Sequence, residues 1–328
     1  MRGFYLLTGL LLLSLLTPAC VDEIPLPEPD AVSAPVVIQG RVSKGELSLI
    51  RVQLHLAASF AADDFPDRIS GAKVQVLDRA GSALAVPEVA PGLYERQVAP
   101  GAAMAIETDR DYQLLVTLPD GRRYQSDFET VRPVPRPDSL SYALVTRNEQ
   151  NSAGNIVEIR KVQIFIHSSL RADGAAAPAA LKWDFSGVWQ LKETDIGLVT
   201  GARTCFIFEP VNLEEVLVVD GRQYTTDYLD GRLLFEEPVD DRFSAGYYLT
   251  AVQHSLTPAA FEYWSRVGDV TNRSGGLFEK PPASISGNLH NVEDPTEKVL
   301  GFFYAGETDT VRRRIELPLE LVPAPECP

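Results

Sequence analysis

Leu49-Ile50-Arg51-Val52-Gln53-Leu54-His55-Leu56 is the stretch that decides the fold. Val52, Leu54 and Leu56 alternate with Arg51, Gln53 and His55. Successive side chains of an extended chain point to opposite faces, so this spacing predicts a strand with one buried and one solvated face. The same reading extends outward. Val36-Val37-Ile38-Gln39-Gly40-Arg41-Val42 precedes it, and Lys73 to Asp78 sets Val74 and Val76 inward before the turn Arg79-Ala80-Gly81. Pro91-Gly92 turns into Leu93-Tyr94, and Tyr112 to Leu118 alternates again before the hairpin signal Asp120-Gly121. Short strands at this spacing, without a helical period, predict an immunoglobulin-like β-sandwich over residues 36–131.

Pro133, Pro135 and Pro137 then fall at alternate positions, a pattern unsuited to helix or strand interior, which marks residues 132–138 as a linker between domains. Residues 139–328 read as a second β-rich domain. Ser141 to Val145, Ile156 to His167, Lys182 to Val188, Cys205 to Phe208, Glu215 to Val219, Leu233 to Phe235 and Tyr247 to His254 are strand candidates. Val299 to Tyr304 and Val311 to Leu321 are two more, and Asp220-Gly221 and Asp230-Gly231 mark turns. Trp183 and Trp189 are expected to pack. One helix interrupts the strands: Thr257 is its N-cap and Pro258 its first residue, and Phe261, Trp264 and Val267 follow at helical spacing. It should run about ten residues, to Gly268. The fold class is all-β with one short helix.

The chain has 328 residues, 45% hydrophobic and 23% charged, the balance of an ordinary folded protein. Its first residues differ in kind. Arg2 precedes an apolar run from Phe4 to Leu16, and Thr17-Pro18-Ala19 leads into Cys20. A charged start, an apolar stretch shorter than a bilayer span and a small residue before the cut predict a signal peptide over residues 1–19. The cysteine at the cut makes it look like a lipoprotein signal, with Cys20 the acylated (palmitate-bearing) N-terminus, although Leu16 lies one place further from it than usual. An ordinary signal with an incidental cysteine is the alternative. Pro25, Pro27, Pro29 and Pro35, interspersed with acidic residues, make residues 20–35 a semi-rigid tether. Membrane lipid, reached through Cys20, is the first expected partner.

Removing Arg2 from a formal charge of −15 leaves −16, a balance that argues against nucleic acid and against a basic membrane patch. With Cys20 acylated, Cys205 and Cys327 would form a disulfide that ties the tail to the second domain, the alternative being two buried thiols. No catalytic motif is legible. His55, His167, His254 and His290 are far apart, without zinc spacing, and neither a nucleophile elbow nor a phosphate loop occurs. Asp63, Asp64 and Asp67 cluster as oxygen ligands but lack the calcium-loop pattern, so no cofactor and no metal are expected. A triad assembled from distant residues would have to be recognised by geometry. Asp138-Ser139-Leu140 resembles an exported-protein O-glycan acceptor, with Ser139 as the modified residue.

Family resemblance enters through the later motifs. Ile285-Ser286-Gly287-Asn288-Leu289-His290-Asn291-Val292, Asp294-Pro295 and Val299-Leu300-Gly301-Phe302-Phe303 stand together with Gly275-Gly276-Leu277-Phe278, Phe261-Glu262-Tyr263-Trp264 and Pro137-Asp138-Ser139-Leu140. In this the chain is similar to the DUF4249 lipoproteins of the Bacteroidota. Ser70-Gly71-Ala72-Lys73-Val74, Pro91-Gly92-Leu93-Tyr94 and Asp120-Gly121 resemble carboxypeptidase-regulatory, transthyretin-like sandwiches. The resemblance implies an outer-membrane, lipid-anchored protein found with TonB-dependent transporters and carries no catalytic residues. The expected function is a non-enzymatic accessory binding or scaffolding subunit. A hydrolase or glycan-processing enzyme with a dispersed site, and a surface adhesin, are the alternatives.

Overall fold

The computed structural model describes residues 34–57, 67–151, 153–192, 204–211, 215–271 and 285–318. Its backbone is built from three sheets. The nine-stranded sheet runs β13 (Thr204–Val211), β12 (Ala180–Lys192), β16 (Tyr247–Leu256), β18 (Leu300–Ile315), β1 (Val36–Lys44), β2 (Ser48–Leu56), β6 (Leu93–Val98) and β5 (Glu88–Ala90), with β14 (Leu217–Asp220) paired to β12. A six-stranded sheet holds β17 (Leu289–Asn291), β8 (Arg123–Ser126), β7 (Asp111–Thr117), β3 (Lys73–Asp78) and β4 (Ala83–Val86), with β9 (Glu129–Thr130) against β7. The third sheet consists of β10 (Pro137–Gln150), β11 (Ile156–Ser169) and β15 (Tyr228–Pro238).

The two smaller sheets cover different ends of the same face of the large one. Val36, Ile38, Ile50, Val52 and Leu54 of β1 and β2 meet Val74, Val76, Leu114, Val116 and Tyr124 of the six-stranded sheet in one hydrophobic cluster. Leu181, Trp183, Phe185, Leu249 and Ala251 of β12 and β16 meet Val162, Ile164 and Ile166 of the three-stranded sheet in a second. The alternation in β2 is the expected one: Ile50, Val52 and Leu54 are buried while Arg51, Gln53 and His55 keep solvent contact.

β18 joins the two halves. Leu300 to Glu307 pair in parallel with Val37 to Lys44, and Thr308 to Ile315 pair antiparallel with Tyr247 to His254. The two tail strands expected from the sequence are thus one continuous sixteen-residue strand, and from Pro35 onward the chain forms a single compact unit. Gly301 makes the parallel entry feasible. Its φ is +98°, and a Cβ there would sit 2.0 Å from the Ile38 carbonyl oxygen. Gly287 is held as tightly, because its Cβ would meet the Gly301 oxygen at 1.7 Å. Only a residue without a side chain satisfies both demands.

The proline run is hydrogen-bonded to the strands around it. Gln253 donates from Nε2 to the Pro135 carbonyl (2.7 Å) and accepts at Oε1 from Trp183 Nε1 (2.9 Å) and Ser168 Oγ (3.1 Å). The Val134 amide donates to Glu307 Oε2 and the Glu307 amide to the Arg132 carbonyl, both at 3.1 Å. Prolines remove donors, yet their carbonyls remain acceptors, and the buried Gln253 side chain on β16 uses that of Pro135. Asp230-Gly231 differs from its expected role as a turn between strands. It lies inside β15, where the register against β11 slips and Gly231 takes a φ of +66°.

The helix, α1 (Pro258–Thr271), is fourteen residues long, three beyond Gly268. Thr257 Oγ1 accepts from the Ala260 amide at 3.2 Å, the expected cap. Ala260, Phe261, Tyr263 and Trp264 pack on Phe302, Tyr304, Ala180 and Leu256. These four partners lie on the outer face of the large sheet, the face turned away from both cores.

Candidate functional site

The outer face beside α1 is polar where a sheet of this size would ordinarily be either solvated or covered. Arg41 on β1 pairs in register with Tyr304 on β18 and with Arg51 on β2, and Lys182 on β12 is directly opposite His254 on β16. Because register partners share a face, five strands present these side chains together. Trp264 of α1 walls one side with Lys182 Nζ 5.0 Å from its ring centroid, a cation–π distance. The cavity so formed has a volume of about 450 Å³ and includes Gln39, Gln53, Asp184 and Glu215 in its lining. That is the size range of small-molecule sites.

Asp184 is the electrostatic centre. Its Oδ2 lies 2.9 Å from Arg41 Nη1 and 3.0 Å from His254 Nε2, and its Oδ1 is hydrogen-bonded to Lys182 Nζ. Burial opposes ionisation of this carboxyl, but His254 and Lys182 together hold it well below the usual carboxylate range. His254 is only 2% exposed. Burial pushes its ring below the ordinary histidine value despite Asp184, and the like charges of Lys182 and Arg41 press the same way. The His254–Asp184 approach has ion-pair distance without hydrogen-bond alignment, and both ring nitrogens are buried without a hydrogen-bond partner. Arg41 Nε and Trp264 Nε1 are buried and unpartnered in the same way. Burial also works against the charge of Arg41, but Tyr304 and Asp184 overcome it and raise its pKa.

A second cluster forms on the three-stranded sheet. Ser141 Oγ lies 2.9 Å from His167 Nε2, and His167 Nδ1 lies 3.2 Å from Asp230 Oδ1. β10 and β11 bring the first pair together, and the Gly231 bulge in β15 delivers Asp230. Those distances are the ones a Ser-His-Asp triad needs, but the protons are arranged otherwise. The Gly231 amide donates to His167 Nδ1 at 3.1 Å. A backbone N–H can only donate, so Nδ1 is the acceptor and the ring proton sits on Nε2, pointing at Ser141. A triad requires the reverse tautomer. Asp230, its side chain 87% exposed, is free to be solvated instead of orienting the ring.

The residues singled out in the sequence are scattered. Cys20, Cys327, Asp63 and Asp64 lie outside the described residues, as do residues 275–278. Cys205 is a free thiol, exposed on β13. Ser139 is exposed near the start of β10, opposite His167. His55 meets the Leu56 carbonyl, and His290 is exposed on β17. Among the described residues no group of three or more His, Cys, Asp or Glu side chains is placed to hold a metal ion. The motif asparagines act on the backbone. Asn288 donates to the Phe303 carbonyl (2.8 Å) and accepts from its amide (2.9 Å), while Asn291 accepts from the amides of Glu293 and Asp294. Arg41, Lys182 and Asp184 carried no motif. Their only sequence signal is charge at alternating positions of central strands, and that looks the same as a solvated face.

The chain is therefore an all-β protein in which two hydrophobic cores share one sheet, with a helix-walled polar cavity on the free face of that sheet. It belongs to the family described as Domain of unknown function (DUF4249), whose model matches residues 21–312. Comparison with curated proteins gave no match.

Proposed function

We propose that this protein is a non-enzymatic lipoprotein of a bacterial outer membrane, of the Bacteroidota type, anchored through Cys20 and serving as an accessory binding subunit beside a TonB-dependent transporter. Residues 36–131 are the transthyretin-like sandwich in this reading, and Ser139 is an exposed position for an O-glycan. Acylation confines the protein to a plane and raises its effective concentration near a membrane partner.

The observation that carries the binding role is the state of Asp184. A carboxylate held by Arg41 and Lys182 is a weak base, poorly suited to take a proton, but it keeps two cations oriented on a cavity wall. Recognition needs such fixed charges; hydrolysis needs one of them to titrate. Pull-down of the full mature chain from detergent-solubilised envelopes, followed by mass spectrometry, tests the accessory role. Co-purification of a TonB-dependent transporter with wild-type protein, and its loss with Cys20→Ala, is the expected result. Wild-type protein that brings down no membrane protein overturns it.

Under the hydrolase alternative, Ser141 with His167 and Asp230 would be the group to act. A fluorophosphonate probe decides it, because an activated serine is labelled and one facing an Nε2–H is not. Labelling of wild-type protein that disappears in Ser141→Ala would establish the enzyme reading.

A further inference from the structure

We propose that the cavity beside α1 binds a small organic carboxylate, with Arg41, Lys182 and Trp264 as its donors. This rests on the binding role just described and adds the chemistry of the ligand. Charge is the first reason. Arg41 and Lys182 share one carboxylate, Asp184, and the third cation of the lining, Arg51, is engaged by Glu95. Glu215 is exposed and solvated at the rim. The floor of the cavity thus has one positive charge in excess of its internal partners.

Unmet hydrogen bonding is the second, independent reason. Arg41 Nε and Trp264 Nε1 are donors with no capacity to accept, and both are buried without a partner. Such groups are costly unless an acceptor reaches them. The two unmet donors of the cavity lining call for an oxyanion; His254 is not among the lining residues. Lys182 Nζ is tethered over the Trp264 ring and hydrogen-bonded to Asp184. It is therefore preorganised for a ligand, with little ordering left to do on binding. The amides of Gln39 and Gln53 and the rings of Phe302 and Tyr304 extend the lining beyond the charged floor. A bare inorganic ion would leave most of about 450 Å³ unused, whereas a carboxylate on a carbon framework fills it.

Glucuronate and glucose are a suitable probe pair, since both have a hydroxylated ring and one has a carboxylate. Calorimetric titration of the full mature chain in detergent should show saturable binding of glucuronate and none of glucose. Losing one charge-assisted hydrogen bond in Lys182→Met should weaken glucuronate roughly tenfold. Asp184→Asn removes the competing charge while keeping an acceptor oxygen to orient the cations, and should tighten it, an outcome of opposite sign that structural damage would not produce; circular dichroism confirms that both variants are folded. Absence of saturable glucuronate binding, equal binding of glucose, or a Lys182→Met variant that binds as wild type would each overturn the proposal. Inorganic phosphate binding as tightly as glucuronate would overturn the organic carboxylate assignment. Transporter co-purification is read separately, so failure of the ligand and failure of the accessory role are distinguishable.

Discussion

Replacing Glu129 by Gln should remove a loss of stability that the wild-type protein suffers as pH rises. Glu129 is 4% exposed on β9, and its Oε2 accepts a hydrogen bond from Thr257 Oγ1 at 2.6 Å. Burial pushes its pKa from 4.5 up to about 7. The Thr257 hydrogen bond and Arg132 pull it down, and Asp127 and Asp111 add to the rise. The folded value lies above the unfolded one, so folding favours the protonated form. Its contribution is fully present below about pH 4.5, declines as the unfolded chain alone deprotonates, and is gone once pH passes through about 7. A rise of that size corresponds to about 3 kcal/mol, or roughly 5–10 °C in Tm for a chain of this length.

Glutamine is neutral throughout, so Glu129→Gln should lack this slope. Depressed carboxylates such as Asp184 push wild-type stability the other way with pH, and both proteins share them. The difference between wild type and variant isolates Glu129. Denaturant unfolding at pH 5, 6, 7 and 8 should show the variant gaining on wild type by about 2–3 kcal/mol across the series. Parallel pH curves for the two proteins would refute the reasoning. Because Thr257 also caps α1, deprotonation of Glu129 acts at the root of the helix that carries Trp264.

Gly301→Ala combines a positive φ with a Cβ overlapping the Ile38 carbonyl, and should cost roughly 3 kcal/mol or more in equilibrium unfolding. Asn288→Ala leaves the amide and carbonyl of Phe303 without their side-chain partners; about 2 kcal/mol is expected, measured by denaturant titration. Trp264→Ala removes the aromatic wall and the surface on which Lys182 rests. A half-buried position predicts about 2 kcal/mol of stability, with weaker glucuronate binding by calorimetry.

Much of the strand inventory was legible from residue alternation. Lys73 to Asp78 is a strand as read, and Thr257 caps the helix as its side chain predicts. Two elements escaped for physical reasons. Glu307 and Thr308 interrupt the apolar pattern between Val299 and Val311, so one strand looked like two. There the chain changes partner from β1 to β16, and Glu307 faces Lys44 and the Val134 amide instead of a core. Asp230-Gly231 has turn chemistry, but its positive φ is used for a bulge inside β15.

The sequence alone determined what depends on neighbours along the chain: the all-β character, the helix cap, the hairpin turns and the glycines that tolerate close backbone approach. Those properties follow from local sterics and from a two-residue period. Tertiary structure decided which strands meet. Arg41, Lys182, Asp184, His254 and Trp264 become one site only because β18 carries the sheet from one core to the other, and Ser141, His167 and Asp230 converge only through the register of three strands. Pairing between distant strands depends on the total burial of both faces, a property that no short stretch of sequence contains.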